Sequence, residues 1–224
     1  MIAFESEPKF ITFDCYGTLT KFGMSALGRQ LLADRLAPEQ MEDFLELFEA
    51  YRLDETLGAY KPYAKVLNDA LSRTCKVWGI EHRESDSRAI YEAVPTWGPH
   101  ADVPEPLAAL ATRYPLVILS NAADEQIHSN VDKLGAPFHA VYTAQQAQAY
   151  KPRLVAFEYM LDQLGCGPQD ILHVSSSLRY DLMPCHDLRV RNKVYVNRGY
   201  EPSTPFYGYQ EISDLSGLPP LLGL

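Results

Sequence analysis

Short apolar segments alternate with helical periodicity over most of this chain. Residues 10–14, 116–121, 140–144, 171–175 and 193–197 are β-rich, apolar and followed by turn or polar residues, so they predict buried strands. Between the later ones, residues 105–114, 124–134, 153–164 and 179–187 carry helical spacing, and Gly135 and Gly165 stand just past the last apolar residue of two of them. Strands alternating with helices predict a parallel sheet covered on both faces.

Residues 22–93 break this rhythm. Leucines and aromatics recur at helical spacing (Leu27, Leu31, Leu32; Phe44, Leu47, Phe48, Tyr51) with no strand candidate among them. The expected fold is therefore α/β: a Rossmann-like parallel sheet core, residues 1–21 and 94–224, carrying an inserted helical cap, residues 22–93. The proline-rich stretch 95–104 is the expected return linker.

Composition narrows the function. A net charge of -9, without any basic run, argues against a nucleic-acid partner. No apolar run approaches the ~20 residues of a membrane helix. The first ten residues lack a charged segment followed by an apolar one, so a cytoplasmic location is expected rather than secretion. Cys15, Cys75, Cys166 and Cys185 form no CxxC pair, and free thiols in a reducing compartment are expected instead of a zinc site.

In open parallel sheets, ligands bind beyond the carboxyl ends of the strands. Asp14, Ser120 with Asn121, Lys151, and Ser175 to Ser177 with Asp181 stand at successive strand ends or just after them, so they should meet. After Asp14, Gly17 and Thr18 sit at a turn whose backbone N–H groups can form an anion-binding nest. An aspartate after a strand is also a common turn or cap residue.

Four ordered stretches, FDCYGTL, LVILSN, YKP and HVSSSLRYD, resemble the four motifs of the haloacid dehalogenase superfamily. The helical insert after the first is similar to the four-helix cap of one class. The superfamily's phosphatases use DxDGT, with the second Asp as general acid; here that position is Tyr16. Their fourth motif places an acidic metal ligand five residues before the final Asp, where this chain has Ser176 before Asp181. Mg²⁺ wants hard oxygen ligands, mostly carboxylates. The chain is thus more similar to the metal-free branch, the L-2-haloacid dehalogenases, and neither metal nor cofactor is expected.

That resemblance implies a small carboxylate substrate, attacked by Asp14 to give an enzyme ester that a water activated by Asp181 hydrolyses. Lys151 would hold Asp14 ionised. Ser120 and the N–H groups of Cys15 and Tyr16 would bind the substrate carboxylate, Asn121 would face the halide, and Thr18 and Ser176 would position Asp14 and the water. A cap arginine is also implied: Arg52 is the best match, with Arg29 and Arg35 as competitors. The resemblance leaves room for a homodimer.

Two positions depart from the best-defined dehalogenase pattern: Phe157 stands where a Tyr is expected and Leu178 where an Asn is. The HVSSSLRYD variant is similar to a sister group that includes azetidine-2-carboxylate hydrolase, so the electrophile stays open. A catalytically retired binding protein would show erosion of Asp14, Ser120, Asn121, Lys151 and Asp181, all of which are present. His173 is expected as a buried, hydrogen-bonded strand residue, and His100 and His186 as ordinary loop residues. Trp78 and Trp97 are expected at the active-site mouth, in the core or at a domain junction. The aromatic segment 200–209 could cover the site or a partner surface, and no role is assigned to it.

Overall fold

The computed structural model describes residue 4 and residues 6–224; the reading of the first ten residues lies partly outside them. Six parallel strands form one sheet in the order β3-β2-β1-β4-β5-β6: β1 (Phe10–Phe13), β2 (Leu116–Ser120), β3 (Ala140–Thr143), β4 (Ile171–Ser175), β5 (Asn192–Val196) and β6 (Gln210–Ile212). The five expected strands are present within a residue or two. The sixth was not foreseen: it is short, polar and at the sheet edge, where no apolar pattern marks it.

Strand alternation builds two cores. Ile11, Phe13, Leu172 and Val174 point into a cluster with Leu107 and Leu110 of α5 (Pro104–Ala111) and Ile127 of α6 (Asp124–Val131). Val117, Leu119 and Ile171 point the other way, onto Phe157, Met160 and Leu161 of α8 (Leu154–Leu164). One turn, α7 (Ala144–Ala147), follows β3, and α10 (Leu218–Leu221) closes the chain. Where residues 179–187 predict one helix, the chain forms a π-helical turn, Leu178–Leu182, and then α9 (Met183–Asp187).

Between β1 and α5 lie α1 (Met24–Leu32), α2 (Met41–Leu57), α3 (Tyr63–Trp78) and α4 (Glu84–Ala93), with no strand among them. They share their own core of Met24, Phe44, Phe48, Leu67, Leu71 and Ile90. Trp78 packs there against Phe44, whereas Trp97 sits at the junction, its ring edge-on to Tyr16 and Phe22. Its indole lies so close to Gly23 that a Cβ there would come within 2.8 Å. Among the described residues, no helix is long and apolar enough to cross a membrane.

The order puts the topological switch between β1 and β4, the crevice where open α/β sheets bind ligands. Register aligns the strand ends there: Phe13 pairs with Val174, and the Asp14 N–H donates to the Val174 carbonyl at 3.1 Å. The helical block depends on its own core, so Leu67→Ala should cost about 2–5 kcal/mol, measured by urea unfolding.

Candidate active site

Asp14 follows β1 directly, in a buried position at the switch point. Its Oδ1 accepts from Lys151 Nζ at 2.8 Å and its Oδ2 from the Thr18 hydroxyl at 2.7 Å. Gly17 makes the turn between them at φ +90°, where a Cβ would also press within 3.3 Å of Ser176 Oγ. The Thr18 hydroxyl in turn accepts from the Ser176 N–H at 2.8 Å, and Ser176 Oγ lies 3.1 Å from it.

Lys151 is fully buried and reaches a second carboxylate, donating to Asp181 Oδ1 at 2.8 Å. Its backbone is clamped on both sides by one side chain: Asn121 Oδ1 accepts from the Lys151 N–H at 2.7 Å, and Asn121 Nδ2 donates to its carbonyl at 2.9 Å. Asp181, on the π-helical turn, also accepts from Ser175 Oγ at 3.0 Å through Oδ2, and its Oδ1 lies 2.9 Å from His173 Nε2.

The two carboxyls are tuned apart. Burial and the neighbouring Asp181 charge push Asp14 above the ordinary aspartate range, although Lys151 pulls the other way. Burial pushes Asp181 up too, but the Lys151 charge and the His173 hydrogen bond hold it below that range. Asp181 has more donors, so it is the better-stabilised anion. Both charges keep Lys151 protonated against burial.

These groups face a cavity of about 240 Å³, lined from the sheet side by Asp14, Tyr16, Asn121, Lys151, Ser176 and Asp181. Arg52 enters from α2 with its guanidinium 5.3 Å from the rings of both Phe22 and Phe48, and its buried Nε has no hydrogen-bond partner. Its competitors are engaged elsewhere, Arg29 with Glu42 at the surface and Arg35 with Asp86. Ser120 does not line the cavity. It ends β2 fully buried, its hydroxyl unpartnered, a costly state that a ligand atom or water would relieve.

Two expected residues offer only part of themselves. The Cys15 thiol lies in the apolar cluster under the sheet, pushed up to about 12 by burial, so only its backbone belongs to the site. The Tyr16 hydroxyl donates to Asn130 Oδ1 at 2.9 Å, and Asn130 Nδ2 donates to the Val94 and Trp97 carbonyls at 3.0 and 2.8 Å. Tyr16 thus ties the first strand end to the return linker.

Glu49, Tyr63 and Tyr180 also line the wall without having been singled out, and Tyr200 and Glu201 bring to it the segment that could have covered the site. Glu201 accepts from Ser177 Oγ at 2.9 Å, and burial raises its carboxyl above the ordinary range. The aromatic composition of residues 200–209 was a faint signal for this wall. His173 is buried and hydrogen-bonded, as expected. His100 is half-buried, with Nε2 3.2 Å from the Gly17 carbonyl, so it braces the turn.

The donor set does not fit a divalent cation. An ammonium already bridges the two carboxylates, Ser176 offers a hydroxyl where an acid would be needed, and no cluster of three His, Cys, Asp or Glu occurs among the described residues.

Residues 8–186 match the model of a haloacid dehalogenase-like hydrolase. The chain belongs to that family. Within it, (S)-2-haloacid dehalogenase from Pseudomonas sp. (strain YL) is 29% identical over 177 residues, 75% of each chain. (S)-2-haloacid dehalogenase 4A from Burkholderia cepacia is 27% identical over 222 residues, 94% of this chain and 93% of that one. A solved dehalogenase structure with an intermediate complex superposes with a TM-score of 0.80 at 25% identity, covering 96% of this chain and 97% of that one.

The ammonium at the centre of the haloacid dehalogenase-like site neutralises buried charge. Lys151→Met should cost about 3–5 kcal/mol at pH 7 by leaving two buried carboxylates uncompensated. The loss should shrink as pH falls and the carboxyls protonate, which urea unfolding at pH 7 and pH 5 would read.

Proposed function

We propose that this chain is a metal-independent hydrolase that displaces halide from short 2-haloalkanoic acids and yields 2-hydroxy acids through an ester on Asp14. The carrying observation is the buried Asp14 carboxylate at the cavity, held by Lys151 and Thr18, with Asp181 on the same ammonium. The named relatives support the substrate class.

In the first step a carboxylate oxygen of Asp14 attacks the carbon bearing the halogen, the carbon–halogen bond breaks and halide leaves with the electron pair. In this reading Ser120, whose buried hydroxyl lacks a partner until substrate enters, holds the substrate carboxylate with the N–H groups of Cys15 and Tyr16; Arg52 and Asn121 face the halide. Asn121 has one N–H left for this after its bond to Lys151. In the second step water gives a proton to Asp181 and its oxygen to Asp14 Cγ. The Cγ–O bond to the product then breaks, the product oxygen takes a proton, and Asp14 returns to its carboxylate. Thr18 and Ser176 keep Asp14 and the water in place.

Residues 22–93 act in this reading as the cap over residues 1–21 and 94–224, with its own core. The unpaired cysteines suit a cytoplasmic enzyme. A homodimer belongs to the reading on the family resemblance alone.

A second electrophile is favoured by Glu49 and Glu201 on the wall. Carboxylates there suit a substrate carrying an ammonium beside its carboxylate, such as azetidine-2-carboxylate. Comparing turnover of that acid with L-2-chloropropionate separates the two.

Halide release from L-2-chloropropionate should persist in EDTA and vanish in Asp14→Asn; an absolute need for Mg²⁺ would refute the metal-free reaction. One turnover in heavy-oxygen water should give unlabelled product, and label in the first product molecules would exclude the ester. Asp14 must be ionised to attack, and its pKa is raised. Activity should therefore be present above that pKa and lost as pH falls through it, with the acid limb of kcat/KM above the ordinary aspartate range.

A further inference from the structure

His173 occupies the middle of β4, fully buried, in a strand whose other side chains are apolar or hydroxylic. Its ring is held from both ends. Nδ1 lies 2.8 Å from Thr12 Oγ1 on β1, and Nε2 lies 2.9 Å from Asp181 Oδ1. Phe157 packs against the ring face-to-edge, centroids 5.3 Å apart at 72°.

The partners dictate the tautomer. A carboxylate accepts, so Nε2 carries the proton and donates to Asp181. Nδ1 is then the acceptor, and the Thr12 hydroxyl donates to it; the alternative acceptor, the Leu172 carbonyl, is farther at 3.4 Å. This fixes which lone pairs of Asp181 are taken. Oδ1 receives both Lys151 and His173, whereas Oδ2 receives only Ser175. The open acceptor position lies on Oδ2.

We propose that His173 is a positioning residue for the water step: its Nε2–H, locked by Thr12, turns Asp181 so that Oδ2 accepts the proton of the attacking water. This rests on the ester mechanism above. Three donors make Asp181 a weak base, so its contribution comes from orientation more than from basicity. The charged and titratable groups around the pair are Asp14 from β1, Lys151 from the loop after α7, Cys185 from α9 and Lys193 from β5. Unlike Lys151, which holds both carboxylates, His173 donates to Asp181 alone, so its removal should affect the second step and spare the first.

The test uses His173→Phe, which removes the donor; His173→Gln, whose side-chain amide reaches the same place; and Thr12→Val, which unlocks the ring in a milder way. After mixing with L-2-chloropropionate, His173→Phe should release one equivalent of halide at close to the parent rate. Its ester, seen by intact-protein mass, should then decay roughly tenfold or more slowly. Thr12→Val should slow the same step by a smaller factor, and His173→Gln should restore most of it. Ester decay at the parent rate in both His173→Phe and Thr12→Val overturns the proposal, as does equal slowing of halide release and decay. If His173→Phe does not fold, Thr12→Val against His173→Gln decides. Should the parent protein release no halide, the dehalogenase reading fails, and a carboxyl ¹³C titration of Asp181 without substrate decides this inference alone. An upward move in Thr12→Val and His173→Phe, reversed in His173→Gln, supports it; an unmoved titration overturns it.

Discussion

One buried ammonium organises this protein. Lys151 stands between Asp14 and Asp181, 2.8 Å from each, and the three together carry a single negative charge. Two carboxylates this deep would not both stay ionised without it. The three residues come from the end of β1, the loop after α7 and the π-helical turn after β4. Their meeting therefore requires the whole sheet order, and the lysine's own backbone is secured by Asn121 at the end of β2.

Around that centre, each group is held by another that performs no chemistry. Thr18 orients Asp14, and its carbonyl is gripped by Arg198 Nη2 at 2.9 Å. Arg198 is fixed by a two-point pair with Asp102, at 2.8 and 2.9 Å, and Asp102 accepts a further bond from the Leu215 N–H. Burial opposes the Asp102 charge, but the Arg198 hydrogen bond and charge and the backbone bond lower its carboxyl to about 2. Asp102 therefore keeps its charge across the neutral range. The C-terminal segment thus reaches Asp14 through Arg198 and Thr18, although no motif lies there.

The parts legible in the sequence are those with short-range causes. A β-rich run ending in Asp14, Gly17 at a turn that needs a positive φ, and glycines past helix ends all declare themselves within a few residues. Asp14, Lys151 and Asp181 could be grouped because parallel strands deliver their ends to one side. What stayed hidden depends on packing between distant segments. Strand β6 has no apolar pattern, and the walls from Tyr63, Tyr180 and Glu201 follow from how the helical block and the C-terminal loop face the sheet. The family resemblance could suggest Arg52 but not that Arg29 and Arg35 were already paired. Asn121 has a donor and an acceptor both spent on the backbone of one residue, Lys151, which no strand pattern reveals.

Tyr16 joins these observations to the proposed chemistry. A phosphatase needs an acid beside the nucleophile, because an alkoxide leaving group must be protonated as it departs. Chloride, bromide and iodide are anions of strong acids and leave without a proton. The position then has no proton to deliver, and here it holds a phenol whose hydroxyl is spent on Asn130 and whose ring packs on Trp97. Burial raises that phenol well above its ordinary pKa, which makes it poorer still as an acid. A side chain freed from proton transfer has become the fastening between the first strand end and the linker that returns from the helical block. In the proposed reaction, the position where a phosphatase would hold its acid is instead a fastening of that junction.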